Sequence, residues 1–229
     1  MDILKDHIST GFFFIFLSIF VINRMEIVDA ECHLPENLRN SDWEYKYTQV
    51  SDNSEQSKIL TISTTTLQNS VINLNAFGTT IDDWTCINSL TISSTEGVMV
   101  FKSDTSFTDG GLTSGNRLYL CMKFTEVTSD LYYFYLLSDI YTDVNPNERV
   151  FVSTNTADDA SICNTFCQYT ETPKIRTLRK SGTSDSLPSS TPLCECGSSC
   201  SSRAYSIGFN KTWTIVFVAI GLVFNSHNR

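Results

Sequence analysis

Residues 117–139 read RLYLCMKFTEVTSDLYYFYLLSD, the densest apolar and aromatic stretch outside the two ends of the chain. In its first half, Leu118, Leu120, Met122 and Phe124 alternate with other residues. This period of two predicts a half-buried β-strand. The whole stretch therefore predicts a hairpin around which the remaining strands are arranged.

The second half of the hairpin, residues 131–137, is aliphatic or aromatic at every position. We expect both faces of such a strand to be covered, or one face to line a binding surface. Residues 126–130 suit the connecting loop. The aromatic rings are candidates for core packing or for ligand contact. The candidate ligand residues are Tyr119, Tyr132, Tyr133 and Tyr135.

Further short strands are predicted on both sides of the hairpin, and no segment has the pattern of an amphipathic helix. They cover residues 43–47, 58–63, 71–74, 84–93, 98–101 and 149–153, with possible edge pairing at 163–169. Strands at this spacing predict an all-β fold, an antiparallel barrel or sandwich. Trp43 on the first strand is typical of lipocalin-like barrels, although the usual nearby glycine is absent from residues 40–42.

Residues 12–22, FFFIFLSIFVI, follow Lys5 and are too short to cross a bilayer. They are typical of a secretory signal, with small residues Val28 and Ala30 before the cut. We therefore predict a signal peptide over residues 1–30 and an extracellular β domain over 31–180. A retained anchor helix is the alternative.

A second hydrophobic stretch, WTIVFVAIGLVF, occupies residues 213–224. It follows a polar spacer and a run of small residues, which is the pattern of a GPI-attachment signal. We predict such a signal, or a membrane anchor, over 201–229, with attachment at Ser198 or Ser199. This places the domain on the extracellular face of the plasma membrane. A short transmembrane helix or plain secretion is the alternative. The N-glycosylation sequon at Asn210 would be removed together with the C-terminal segment if a GPI anchor is attached.

An even number of cysteines in a secreted chain predicts disulfides, here of open connectivity. They are Cys32, Cys86, Cys121, Cys163, Cys167, Cys194, Cys196 and Cys200. The last three could form a metal cluster, but an extracellular disulfide knot is favoured, so we predict no metal. Residues 181–192, SGTSDSLPSSTP, cannot bury a core. With the cysteines that follow, residues 181–200 are predicted to form an extended, O-glycosylated stalk.

The predicted mature region, residues 31–199, carries 21 acidic and 11 basic residues, a net charge of −10. This charge argues against nucleic acid or anionic lipid as the main partner. His33 is the only histidine of this region and is a poor general base beside a cysteine at the N-terminus. The region also has no glycine-rich phosphate loop. We therefore predict no catalytic residue and no cofactor.

One basic cluster, KIRTLRK, stands out against this acidic background. Its charged residues are Lys174, Arg176, Arg179 and Lys180. Three interpretations remain open: a solvated edge strand, a site for an acidic glycan or partner, and a convertase cleavage site at Arg176-x-x-Arg179.

Seven stretches together carry a resemblance to a family of extracellular proteins. They are CHLP at 32–35 with Trp43, WTC at 84–86, RLYLCMKFTEV, LYYFYLLSD, PNERV at 146–150, CNTFCQY at 163–169, and KIRTLRK. The chain resembles an uncharacterised, membrane-anchored, cysteine-rich β-domain family found mainly in molluscs, over nearly all of residues 32–200. The resemblance implies secretion and membrane attachment and offers no activity or catalytic residue to transfer. Because a KIRTLRK-like segment recurs in the family, a structural strand would explain it as well as processing would.

These observations predict a non-enzymatic binding or recognition ectodomain on the cell surface, whose partner is an extracellular protein, a glycan or a small apolar molecule. The first alternative is a lipocalin-like carrier of a small apolar ligand. The second is an extracellular structural matrix protein.

Overall fold

The computed structural model describes residues 32–200, which form an all-β domain around the predicted hairpin. The strands of this range, in chain order, are β1 (Ser41–Thr48), β2 (Glu55–Ile62), β3 (Thr66–Leu67), β4 (Leu74–Ala76), β5 (Thr79–Ile81), β6 (Trp84–Thr91), β7 (Glu96–Ser103), β8 (Arg117–Thr128), β9 (Leu131–Leu136), β10 (Ile140–Tyr141), β11 (Val144–Asn145), β12 (Glu148–Arg149), β13 (Phe151–Ser153) and β14 (Arg176–Arg179). A 3₁₀ turn at Glu36–Leu38 and a π-helical turn at Ile162–Phe166 interrupt them. Within 32–200, no helix is both long and apolar enough to cross a membrane.

Nine strands form one antiparallel sheet in the order β2-β1-β14-β9-β8-β7-β6-β3, with β13 added to β8. The two ends of this order, β2 and β3, are consecutive in the chain. The Ser63 N–H donates to the Thr66 carbonyl at 2.9 Å between them. The sheet is therefore a nearly closed barrel, as predicted. Two small sheets, β10-β12 and β11-β4-β5, lie outside it.

The central hairpin is confirmed, with Met122 opposite Leu136 and Phe124 opposite Phe134. Its loop is shorter than predicted. Strand β8 continues to Thr128 through a register shift after Glu126, so only residues 129–130 connect the two strands. The pleat sends alternate side chains of β8 and β9 to opposite faces, and both faces are buried.

The inner face of the hairpin contributes to the main core, where Leu120, Met122 and Phe134 pack with Trp43 and Trp84. Both tryptophans are fully buried, and burial of a large apolar side chain contributes roughly 1.5–3 kcal/mol. The outer face forms a second core. Its hairpin members are Tyr119, Cys121, Tyr133, Tyr135 and Leu137, and the residues that cover them include Ile162, Phe166, Cys167, Leu187 and Leu193.

Four disulfides join all eight cysteines, with Cα–Cα distances of 5.4 to 5.7 Å. The pairs are Cys32–Cys86, Cys121–Cys167, Cys163–Cys196 and Cys194–Cys200. Such a set of disulfides indicates an extracellular or secreted protein. Two of the bonds hold the outer layer: one ties the π-helical turn to β8, and the next ties the C-terminal segment to that turn.

Two sequence predictions are wrong. Residues 181–200 are not an extended stalk, because the Tyr135 hydroxyl donates to the Thr191 carbonyl at 2.6 Å and Leu187 packs on the outer core. The few apolar residues of this segment, with its disulfides, suffice to dock it on the hairpin. Nor do residues 163–169 form an edge strand. Two disulfides hold Cys163 and Cys167 in and beside the π-helical turn instead.

Candidate functional site

The basic segment KIRTLRK forms a central strand. Strand β14 pairs with β1 on one side and with β9 on the other, and Thr177 lies opposite both Lys46 and Tyr133. The edge-strand interpretation is therefore wrong, because β14 has no open edge to protect. The same pairing argues against convertase cleavage at Arg179. A protease cleft binds an extended and accessible chain, and this strand is hydrogen-bonded on both sides.

Arg176, the first residue of β14, is buried, with 3% of its surface exposed. Its Nη2 and Nη1 lie 2.6 and 3.0 Å from the two carboxylate oxygens of Glu148, and Nη1 also donates to the Tyr45 hydroxyl at 2.6 Å. Burial is the largest single influence on the pKa of Arg176 and lowers it, but the charges and hydrogen bonds of Glu148 and Tyr45 together outweigh burial and raise the pKa. The charge of Arg176 is thus already neutralised within the protein.

Of the other three basic residues, only Lys174 lies near Arg176, so the four do not form one cluster. Lys180 pairs with Asp130 at 3.2 Å, and its ammonium lies 5.2 Å from the centre of the Trp43 ring. Arg179 is half-buried at the same end of β14. Lys174 lies before β14 and donates to the Asn53 side chain at 2.7 Å. The structure therefore brings only Lys174 and Arg176 together.

The four candidate tyrosines belong to the cores, where each is at most 7% exposed. Tyr119 packs on Phe166, with ring centres 5.1 Å apart, and Tyr132 meets the edge of Trp43 at 5.4 Å. Tyr133 and Tyr135 lie edge to face at 6.2 Å in the outer core. The sequence left core packing and ligand contact open as roles for these rings. Their burial supports core packing and argues against a ligand surface formed by them.

A pocket of about 280 Å³ opens where β1 ends and β14 begins. Strands β10 and β12 bring Ile140 and Arg149 side by side in its wall. Its lining combines three cations, one carboxylate, several hydroxyl and amide groups, and two apolar side chains. The lining residues are Thr48, Val50, Asn53, Ile140, Arg149, Glu171, Thr172, Lys174 and Arg176.

Arg149 is the unusual member of this lining. Its side chain belongs to a residue that is only 5% exposed, and its Nη1 donates to the Ser138 carbonyl at 3.0 Å. Its Nε and Nη2 make no hydrogen bond with residues 32–200, and no carboxylate of that range forms an ion pair with it. Neither nitrogen is sealed from solvent, since Tyr132 Oη is the only fully enclosed side-chain polar atom of the described chain without a partner. Both nitrogens therefore keep some solvent contact, and Arg149 lines the pocket.

The electrostatics of the pocket follow from this arrangement. Burial lowers the pKa of the Arg149 guanidinium, opposed first by the charge of Glu171, while the neighbouring Arg176 lowers it further. An arginine nevertheless stays protonated at physiological pH. A buried charge without an ion-pair partner is costly, and its presence in a cleft is typical of a functional site.

Sequence reasoning missed Arg149. Residues 149–153, RVFVS, predicted a strand, and the structure divides them between β12 and β13. One signal was available: two adjacent charges, Glu148 and Arg149, begin an otherwise apolar strand. In that context each charge needs a specific partner. Glu148 has Arg176 as its partner, and Arg149 has only the Ser138 carbonyl.

The predicted attachment residues lie in a second buried polar cluster. The Lys123 ammonium donates to the Ser198 carbonyl at 2.7 Å, and the Ser199 hydroxyl binds the Glu96 carboxylate. The Cys200 N–H donates to the same carboxylate at 3.1 Å. These bonds hold the end of the described segment against β7 and β8. The predicted signal peptide, the hydrophobic tail and Asn210 lie outside the described residues.

No family model matches this chain, and neither a curated protein nor a solved structure matches it. The resemblance to a molluscan cysteine-rich family and the lipocalin-like character of the barrel stay predictions. Any functional conclusion must therefore come from the chemistry of the pocket.

Proposed function

We propose that residues 32–200 form a non-enzymatic recognition domain of the cell surface that binds an anionic ligand in the pocket around Arg149. The single observation behind this proposal is Arg149: the residue is 5% exposed and lines the pocket, its guanidinium has no ion-pair partner among the described residues, and two of its nitrogens have no hydrogen-bond partner there. A bound anion would supply the missing charge.

The lining chemistry favours binding over catalysis. Guanidinium and ammonium groups attract and orient an anion, but a protonated guanidinium cannot act as a general base. Among the lining residues, Glu171 is the one carboxylate, and it lacks a histidine with which to share proton transfer. His33 lines a different groove. This donor set suits capture of a ligand in one orientation.

We further propose a GPI tether whose attachment residue follows Cys200. Attachment at Ser198 or Ser199 would remove Cys200 and leave its partner Cys194 without its disulfide. Attachment at one of the next small residues, Ser201 or Ser202, would keep the Cys194–Cys200 disulfide intact. Both residues still precede a polar spacer and the hydrophobic stretch at 213–224.

The test of the tether uses cells that express the full chain. Phosphatidylinositol-specific phospholipase should release the domain, and the released protein should lack the 213–224 peptide. Retention on the cell with that peptide present would contradict the tether.

The test of the pocket compares Arg149→Met with Arg179→Met on the same cells. Arg179→Met is the matched control, because it also removes one positive charge, from a residue of β14 that does not line the pocket. We expect Arg149→Met alone to abolish capture of carboxylate-bearing beads relative to amide-bearing beads. Equal capture by the two variants would contradict the proposal.

No observation favours the two alternative functions. Trp43, Trp84 and Phe134 occupy the interior of the sheet where a lipocalin-like carrier would hold an apolar ligand. No feature of the described residues requires a structural matrix role.

A further inference from the structure

We infer that the ligand of the Arg149 pocket is a sugar unit carrying one carboxylate, that is, an acidic monosaccharide at the end of a glycan. This inference rests on the proposed anion-binding function and narrows the ligand class. It follows from the geometry of the Arg149 donors, the net charge of the lining, its mixed polarity and its size.

Arg149 presents a pair of donors whose geometry matches a carboxylate. The Nε and Nη2 of an arginine lie on the same edge of the guanidinium plane, and their N–H bonds are nearly parallel. In Arg149 these are the two nitrogens without a partner among the described residues, since Nη1 is held by Ser138. A pair of parallel donors matches the two coplanar oxygens of a carboxylate.

The net charge of the pocket lining suits a ligand with a single negative charge. Arg176 is neutralised by Glu148, so it adds little net charge to the lining. Arg149 and Lys174 bring two positive charges, and Glu171 brings one negative charge in the same wall. The remaining charge is close to +1. A singly charged ligand neutralises it, whereas a dianionic phosphate monoester would be repelled by Glu171.

The pocket lining combines polar and apolar side chains, as a sugar ring requires. Glu171 accepts hydrogen bonds from hydroxyl groups, and Thr48 and Thr172 can donate or accept them. Val50 and Ile140 offer apolar contact in the same lining. A sugar ring presents hydroxyl groups at its rim and C–H groups on its faces, so it can use both kinds of contact at once.

The volume of the pocket suits a single sugar ring. At about 280 Å³, the pocket falls at the lower limit of small-molecule sites, which hold ligands in roughly 300–1,000 Å³. One sugar ring is of suitable size, and a longer chain is not. Because the pocket is open to solvent, the rest of a glycan can leave through its mouth.

The experiment measures binding of soluble probes to the full-length chain in detergent by saturation-transfer NMR and calorimetry. The probes are glucuronic acid, N-acetylneuraminic acid, glucuronamide, glucose 6-sulfate and acetate. We expect one of the two acidic sugars to bind at least about tenfold more tightly than glucuronamide, acetate or the sulfate ester, the ratio that loss of one charge-assisted hydrogen bond produces.

Two variants locate the effect. Arg149→Lys keeps the charge and removes the parallel donors, so we expect acidic-sugar binding to fall at least about fivefold with an unchanged melting temperature. Arg179→Met should bind like the original chain. Arg149→Lys also covers the case in which Arg149→Met does not fold.

The outcomes separate the inference from the proposed function. If acetate and glucose 6-sulfate bind as tightly as the acidic sugars, and all depend on Arg149, the sugar assignment is overturned and the anion pocket stands. If no probe shows binding that depends on Arg149, both are overturned. A preference for an acidic sugar that survives Arg149→Lys overturns the assignment of the carboxylate to the parallel donors.

Discussion

Arg176 and Glu148 form a two-pronged ion pair inside the domain, with Nη2–Oε1 and Nη1–Oε2 distances of 2.6 and 3.0 Å. Both side chains are more than nine-tenths buried. The Tyr45 hydroxyl accepts a further hydrogen bond from the same guanidinium. This pairing explains why Arg149, which follows Glu148 directly and lines the pocket, has no carboxylate partner in the described chain.

Replacing Glu148 by Gln should strongly destabilise the domain. It leaves the buried guanidinium of Arg176 without a counter-charge, and breaking a buried pair in this way costs about 3–5 kcal/mol. The free energy of unfolding in urea is the measurement. The control is Asp130→Asn, which breaks the pair with Lys180, a pair about one-third exposed that should contribute less than about 1 kcal/mol. Equal losses in the two variants would show that the buried pair has no special role.

Lys123→Met should loosen the segment that covers the outer core. The Lys123 ammonium donates to the carbonyls of Cys194, Glu195 and Ser198 at 3.2, 2.5 and 2.7 Å. Without these bonds three carbonyls lose a charged donor, and we expect a loss of about 1–3 kcal/mol. Hydrogen exchange in residues 185–200 should rise, while exchange in β1 and β2 stays unchanged.

The control for this prediction is Lys102→Met. Lys102 pairs with Asp158 at 2.7 Å, but both side chains are partly exposed, so the variant should change neither exchange nor stability appreciably. Unaltered exchange in residues 185–200 of Lys123→Met would contradict the role of Lys123 as a clamp.

The mature protein should retain the Cys194–Cys200 disulfide. Digestion without reduction, followed by mass spectrometry of the surface protein, should yield a peptide in which Cys194 and Cys200 are joined, with the lipid anchor on a later residue. A free thiol at Cys194, with the anchor on Ser198 or Ser199, would restore the attachment site expected from the sequence alone. The Cys163–Cys196 bond, found in either case, serves as the internal standard.

Alkaline conditions should unfold the domain cooperatively. Burial raises the pKa of six tyrosines above the usual value of about 10. They are Tyr45, Tyr47, Tyr119, Tyr132, Tyr135 and Tyr141. Above pH 10 the unfolded chain releases phenolic protons that the folded domain keeps.

The sign of the effect follows from that difference in bound protons. Below pH 10 these tyrosines are protonated in both the folded and the unfolded state, so the free energy of unfolding does not depend on their ionisation. It falls as the pH rises above 10, because the folded state then binds more protons than the unfolded state does. Phenolate absorbance and circular dichroism should change together between about pH 10 and 12. Gradual ionisation of all tyrosines near pH 10, with the circular dichroism unchanged, would contradict the burial of these rings.

Much of the strand content was predictable from local pattern. The alternation of Leu118, Leu120 and Met122 placed one strand and its inward face correctly, because successive side chains of a strand point to opposite faces. The half-burial predicted for this strand is wrong, since Tyr119, Cys121 and Lys123 on its other face are buried as well. The unbroken apolar run at 131–137 indicated a strand covered on both faces, and the outer core supplies that second cover. The even number of cysteines predicted disulfides, although their connectivity stayed open.

The candidate site was not predictable in the same way. Arg176 was singled out within a basic run, where it looked like a surface charge, yet its partner Tyr45 lies 131 positions earlier in the chain. Arg149 was not predicted as a site residue, because its role depends on the absence of a carboxylate close enough to form an ion pair with it among the described residues. Both cases depend on contacts between distant segments, and local composition does not encode those.

Local pattern was therefore enough to assign the class of the protein: an all-β, cysteine-rich domain whose strands show a period of two and whose cysteines are even in number. Three features became visible only in the folded chain: β14 lies between β1 and β9, the Ser/Thr/Pro-rich segment covers the outer core, and Arg149 lines a pocket. The difference arises because periodicity reports only which face of a strand is buried. The neighbour of each strand, and so the partner of each charge, is set by the free energy of packing the whole chain.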